Sequence, residues 1–266
     1  MAGEPGAGVR LERDGRGIAR VTLDRARVHN AFDDSLIARL DEAFAALETD
    51  PAVRAVVLAA EGDSFSAGAD LTWMRRMAGL GTDDNLADAM RLGELLRRVA
   101  HLPKPVIALV QGPAYGGGVG LVAAADIAIA SERASFMLSE VRLGLVPAVI
   151  SPYVVAAIGA RQARRVFVTA ERIDAAAALR LGLVHQVVPA AELEAAGARL
   201  LERLAANAPG AMAAAKELVF AVAGRAIDQA LIADTARRIA EARGSREGIE
   251  GIAAFLDKRK PRWAGG

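Results

Sequence analysis

The chain has 266 residues, enough for one large domain or a domain with an appendage, and ample for a buried core. Its net charge of +1 points to neither nucleic acid nor an anionic membrane as a partner. The absence of cysteine excludes disulfides and thiolate metal sites and suits a reducing, cytoplasmic setting.

The opening stretch, MAGEPGAGVRLERDG, lacks the charged-then-apolar pattern of a leader. VRLERD and IARVTLD read as two short strands joined by the turn DGRG at 14–17. DDSLIARLDEAFAALETD spaces Leu36, Leu40, Phe44 and Leu47 as one helical face. VRAVVLAA (53–60) is a continuous apolar run of strand length, as expected for a strand covered on both faces. After SFSAGAD, the run LTWMRRMAGL predicts a short helix started by Asp70, and DDNLADAMRLGELLRRVAHL continues helically until Pro103. PVIALV (105–110) is a second buried strand. GPAYGGGVGL (112–121) then leads into a short helix to about Ala125, and DIAIA reads as a strand.

This alternation of strands and helices predicts an α/β fold with mostly parallel pairing. From about Ala190 the chain turns almost wholly helical, which reads as a second domain or an assembly module. The division expected is a core at 1–205 and a helical region at 206–266. The window most like a membrane span, from GPAYGGGVGL through AAADIAIA, is broken by Pro113, several glycines and Asp126, so no span is expected. The histidines, His29, His101 and His185, are scattered without zinc-helix spacing, and no metal site is expected.

Two segments share one design of apolar strand, small-residue turn and helix: VVLAAEGDSFSAGADL and VIALVQGPAYGGGVGL. Their turns leave peptide N–H groups uncovered by side chains. In the second, those donors stand at a helix start, where the dipole is positive. Two such donors aimed at one point would make an oxyanion hole. Either turn taken alone reads more readily as an ordinary tight β–α connection. A nucleotide loop fits poorly, since no Lys-Ser or Lys-Thr follows and the glycines miss the G-x-G-x-x-G spacing.

The pair of turns, together with IARVTLDRARVHNAFD, ADIAIASERASFMLSEVRLGLVP, VTAERIDAAAALRLGLVHQVVP and AAFLDKRKPRW, resembles the crotonase superfamily of enoyl-CoA hydratases and isomerases over nearly the whole chain. The resemblance implies a ββα spiral core with a C-terminal helical trimerisation region. It implies that the backbone amides of Ala69 and Gly117 hold the thioester oxygen of an acyl-CoA while an enolate forms. It places Ser66, Ala67, Ala69, Asp70 and Leu71 in the CoA-binding turn, with Gly116, Gly117 and Tyr115 beside them. Phe255 and Lys258 would meet the CoA of a neighbouring subunit in a trimer or a dimer of trimers. Coenzyme A is then part of the substrate, and no separate cofactor is implied.

Family hydratases carry two glutamates. The first falls here on Gly120, and Glu140 occupies the position of the second. Read without the motif, Glu140 would face solvent or pair with Arg142; with it, Glu140 is the proton-handling group, its pKa raised by desolvation. One carboxylate can add water across the α,β double bond or shift that bond as an isomerase. LSEVRLGLVPAVISPYVVAAIG resembles a bacterial subgroup that hydrates branched glutaconyl-type CoA esters in leucine and acyclic-terpene breakdown, such as methylglutaconyl-CoA and isohexenylglutaconyl-CoA, so hydration ranks first. The second carboxylate of such substrates would be read by Arg75 or Arg76. Two other classes remain as alternatives: a silent acyl-CoA binder, and an RNA binder. The RNA reading is opposed by the acidic character of 33–50, where Arg39 is the only cation.

Overall fold

The computed structural model describes residues 8–264. Residues 1–7 and 265–266, the outermost parts of the two expected regions, lie outside the described residues, and with them the first half of the opening stretch. In chain order the elements of the first half are β1 (Gly8–Arg13), β2 (Ile18–Asp24), α1 (Asp34–Thr49), β3 (Ala55–Ala60), α2 (Leu71–Ala78), α3 (Thr82–His101), β4 (Val106–Val110), β5 (Ala114–Tyr115) and α4 (Gly117–Ala124). There follow β6 (Ile127–Ser131), β7 (Ser135–Met137), α5 (Ser151–Thr169), β8 (Ile173–Asp174), α6 (Ala175–Leu181), β9 (Gln186–Val188), α7 (Leu193–Ala205), α8 (Pro209–Val222), α9 (Gln229–Gly244) and α10 (Arg246–Leu256).

A six-stranded sheet in the order β1-β2-β3-β4-β6-β9 forms the centre. Only the β1–β2 hairpin is antiparallel; Asp14 makes its turn by accepting the N–H groups of Arg16 and Ile18, both at 2.9 Å. The other strands run parallel, with Val56 beside Val106 and Ile107 beside Ile127. The apolar runs of β3 and β4 are buried on both faces, as their composition predicts. Alternate side chains divide between two cores, because a strand's side chains point to opposite faces in turn. Val56, Leu58, Val106 and Ala108 join the large core under α1, α3, α4 and α5, while Val57, Ala59, Ile107 and Leu109 meet Leu193, Ala196 and Leu201 of α7.

The helix starts also follow from the sequence. Asp33 caps α1 by accepting the N–H of Leu36 at 2.8 Å, and Leu36, Leu40, Phe44 and Leu47 are all buried. Asp70 caps α2 by accepting from Thr72 and Trp73. A second, smaller sheet orders β5-β7-β8, and the bridges Phe32–Ala69 and Ser66–Ala114 extend it. Successive long strands are thus followed by a short extended segment that pairs with its counterpart in the next turn, before the helix begins. This is the expected ββα spiral.

The C-terminal helices are fastened to the core by polar anchors. Lys216 of α8 reaches Asp126 at 2.7 Å beside the start of β6. Arg54 at the entry to β3 donates to the carbonyls of Ala205, Asn207 and Trp263 at 2.9, 3.2 and 3.1 Å. No helix among the described residues is long and apolar enough to cross a membrane, and no cluster of acidic and histidine side chains there could hold a metal ion.

Candidate active site

The two small-residue turns lie side by side because their backbones pair. Ser66 donates its N–H to Pro113 O at 3.1 Å, and the N–H of Tyr115 returns to Ser66 O at 2.9 Å. Gly116 then turns with φ of +48°, a conformation that a side chain would strain, and hands the chain to α4 at Gly117. The N–H of Gly116 is held by Met137 O at 3.0 Å, which ties this turn to β7 and the short 3₁₀ turn Glu140–Leu143 beyond it.

That tie brings the carboxylate to the turns. A Cβ placed on Gly116 would stand 3.3 Å from Oε1 of Glu140 and 3.8 Å from Cα of Gly68. Glu140 is half-buried, and its Oε2 is buried with no hydrogen-bond partner. A buried, unpaired carboxylate oxygen costs stability and needs a reason. Burial holds the Glu140 carboxyl above the usual carboxylate range, with its own backbone N–H pulling weakly the other way. Arg142 does not pair with it; that guanidinium donates to Ala170 O at 2.8 Å.

Among the described residues, no acceptor is bonded to the N–H of Ala69 or of Gly117. Gly117 is the first residue of α4, where the N–H has no intrahelical partner by construction and the dipole is positive. Ala69 is exposed and Gly117 half-buried, so both stand within reach of an incoming group. Two turns with unbonded backbone donors and one half-buried carboxylate thus lie next to one another.

Other expected site residues sort differently. Ser66 is fully buried; its hydroxyl donates to Asn30 O at 2.9 Å and accepts from Gly68 N–H at 3.2 Å, and both its backbone groups are taken. Ser66 thus spends its hydroxyl and both backbone groups on holding the loop together. The Asp70 carboxylate is spent on the α2 cap, while Ala67 and Leu71 are exposed beside it. The Tyr115 hydroxyl lies 3.5 Å from Ser135 Oγ. Arg76 pairs with Asp34 at 2.8 Å, whereas Arg75 is exposed with no ion pair among the described residues. Phe255 is 83% exposed and lines a cleft of about 520 Å³ with Met212 and Trp263, between α8 and α10. Lys258 is exposed with a left-handed φ of 54°.

Two features escape the sequence reading. The space where a side chain at 120 would begin is filled: a Cβ on Gly120 would lie 2.4 Å from Cγ2 of Ile150 and 3.5 Å from Cδ1 of Leu96. The segment His29–Phe32 also props both turns, and the signal for it was the run HNAFD, where a buried asparagine follows a histidine in a left-handed turn.

With this geometry in view, residues 13–266 match the family described as enoyl-CoA hydratase/isomerase. The fold superposes on an enoyl-CoA hydratase from Shewanella pealeana with a TM-score of 0.94 at 45% identity over 96% of each chain. It superposes on an enoyl-CoA hydratase/isomerase from Marinobacter aquaeolei with a TM-score of 0.90 at 38% identity, over 97% of this chain and 99% of that one. A short-chain-enoyl-CoA hydratase from Clostridium acetobutylicum is 33% identical over 94% of this chain and 95% of its own length. The chain belongs to the enoyl-CoA hydratase/isomerase family, and its ββα spiral is that family's fold.

Proposed function

We propose that this protein is an enoyl-CoA hydratase that works with one carboxylate. The observation that carries the reading is Glu140, whose Oε2 is buried and unpartnered while Oε1 lies beside Gly116, next to the two turns with unpartnered amides. The thioester oxygen accepts from Ala69 and Gly117. Backbone donors suit it because they are preorganised and do not titrate, and losing one such donor costs about 10²–10³ in kcat in other enzymes. Glu140 takes a proton from water as its oxygen bonds to the β-carbon. The electron pair of the double bond moves into the enolate, and the same carboxyl then protonates the α-carbon. An elevated pKa brings the carboxylate nearer the working pH, where a base is most effective. The reaction needs no group beyond the coenzyme A that arrives as part of the substrate.

The acyl group fits a branched glutaconyl-type chain by sequence resemblance. Of Arg75 and Arg76, Arg75 is the one left to read its second carboxylate, since Arg76 is bound to Asp34. Assembly as a trimer, or a dimer of trimers, is supported by the exposed apolar side chains of α9 and α10, among them Ile239, Ile249, Ile252 and Leu256. Phe255 and Lys258 are the residues offered to a neighbour's CoA.

One observation favours a second reading. Ile150 and Leu96 close off Gly120, so no second carboxylate can stand there to hold the water. A double-bond isomerase needs only one base. A panel in isotopically labelled water separates the two: a straight-chain enoyl-CoA, 3-methylglutaconyl-CoA and a β,γ-unsaturated acyl-CoA. Label fixed at the β-carbon, fastest with the glutaconyl ester, is the expected result. A shifted double bond with no label on oxygen overturns hydration in favour of isomerisation.

A further inference from the structure

The direction of the Ala69 amide is not set within its own turn. The peptide joining Gly68 to Ala69 is planar and trans, so its C=O and N–H point opposite ways. Gly68 O accepts the N–H of Phe32 at 2.7 Å, and the N–H of Asp70 returns to Phe32 O at 2.8 Å. The Ala69 N–H is therefore aimed away from Phe32. The Phe32 ring reaches the other donor: a Cβ built on Gly117 would lie 3.5–3.6 Å from ring carbons Cδ2, Cε2 and Cγ, ordinary packing contact. A single buried residue thus fixes one amide through its backbone and supports the other through its side chain.

Phe32 is in turn held by Asn30. His29 and Asn30 both have left-handed φ, 51° and 52°, which redirects the chain after β2. Asn30 is fully buried and both polar atoms of its side chain are bonded. Oδ1 accepts from Arg25 N–H at 2.8 Å, and Nδ2 donates to the carbonyls of Glu61 and Ser64, both at 2.8 Å. Its own carbonyl accepts the Ser66 hydroxyl, which holds Gly68 N–H. A network this complete, inside a turn with unfavourable φ, specifies one geometry.

We propose that Asn30 is a positioning residue for the acyl-oxygen site: it fixes Phe32, and Phe32 sets the separation and aim of the Ala69 and Gly117 amides. The proposal rests on the reading of those amides as the acyl-oxygen donors. Such support acts on the transition state more than on CoA binding, because about 1 Å of misplacement is enough to cost roughly a hundredfold in rate.

Two variants test it. Asn30→Gly retains access to left-handed φ but deletes the three side-chain bonds; Phe32→Leu keeps every backbone bond and removes the ring beneath Gly117. In a Glu140→Gln background, each is titrated with 3-phenylpropenoyl-CoA, whose absorption moves to longer wavelength when its carbonyl is polarised. With Glu140 present, kcat and KM are measured on but-2-enoyl-CoA. The expected result is a smaller spectral shift on saturation, kcat down about 10- to 100-fold and KM nearly unchanged. A merely structural role would lower the folded fraction and leave the shift per bound ligand intact. Folded variants with the full shift and wild-type kcat overturn the proposal, and if Asn30→Gly fails to fold, Asn30→Asp, which keeps the Oδ1 acceptor and loses only the two Nδ2 donations, takes its place. A Glu140→Gln parent that binds with no shift would instead overturn the acyl-oxygen reading, and the positioning role with it.

Discussion

Glu140 and Asp126 are both carboxylates drawn out of water, and the protein treats them in opposite ways. Asp126 sits where α8 docks on the sheet: Oδ2 accepts from Lys216 Nζ and from Val106 N–H, each at 2.7 Å, and Lys216 also donates to Lys104 O at 3.3 Å. Burial raises the Asp126 pKa and lowers that of Lys216, with their mutual attraction opposing both shifts. Among the described residues Glu140 has burial and no charged partner, and its Oε2 has no hydrogen bond at all. A charge that is buried and paired joins two parts of a structure; one that is buried and left alone destabilises the fold and is free to exchange a proton.

The largest test of this contrast is at Glu140 itself. Glu140→Gln preserves shape and removes the proposed base, so kcat should fall about 10²–10⁴-fold. Thioester binding should remain, because the donors proposed for it at Ala69 and Gly117 are backbone groups. Near-normal turnover of an enoyl-CoA by the purified variant would remove Glu140 from the mechanism.

The same surgery at the other carboxylate's partner should do the reverse. Lys216→Met leaves Asp126 half-buried and uncompensated, and a loss of about 3 kcal/mol is expected, the low end for a broken buried pair because Asp126 retains some solvent contact. The urea midpoint reports it, while kcat per folded molecule should hold. Adding Asp126→Asn should recover much of the loss, since an amide oxygen still accepts the N–H of Val106 without a charge to neutralise. A double variant as unstable as Lys216→Met alone would show that the ion pair is not what fastens α8.

These regions also differ in how far they can be read from sequence. The strands, the caps at Asp33 and Asp70 and the leucine face of α1 are local, and each was legible because its cause lies within a few residues. The convergence of the two turns on Glu140 was legible only through the family's motifs. What stayed hidden are contacts between distant segments: Asp34 claiming Arg76, Ala170 claiming Arg142, the Ser66 hydroxyl turning inward to Asn30, and Ile150 filling the space above Gly120. Neither composition nor periodicity records which side chain arrives from thirty residues away.

The Ile150 contact makes Glu140's isolation testable. Gly120→Ala places a methyl 2.4 Å from Cγ2 and 3.0 Å from Cβ of Ile150, and overpacking of this kind costs about 1–3 kcal/mol. Ile150→Leu removes the Cγ2 branch, so the double variant should be less unstable than the sum of the two single ones. Simple additivity would mean that the space at 120 is not closed by Ile150.

The smallest effect expected is the cost of keeping Glu140 unpaired. Its folded-state pKa lies above the ordinary 4.5, so the folded protein holds this proton more tightly than the unfolded chain does. The associated stability is fully present below pH 4.5 and is lost as pH rises through the folded value. Glutamine carries no proton to lose. The difference in urea midpoint between Glu140→Gln and wild type should therefore move in favour of the variant as pH climbs from about 4.5 toward neutrality, then level off. Because both proteins share every other titrating group, the difference isolates position 140. A pH-independent difference would mean that Glu140 is as well solvated folded as unfolded, and the contrast with Asp126 would then rest on pairing alone.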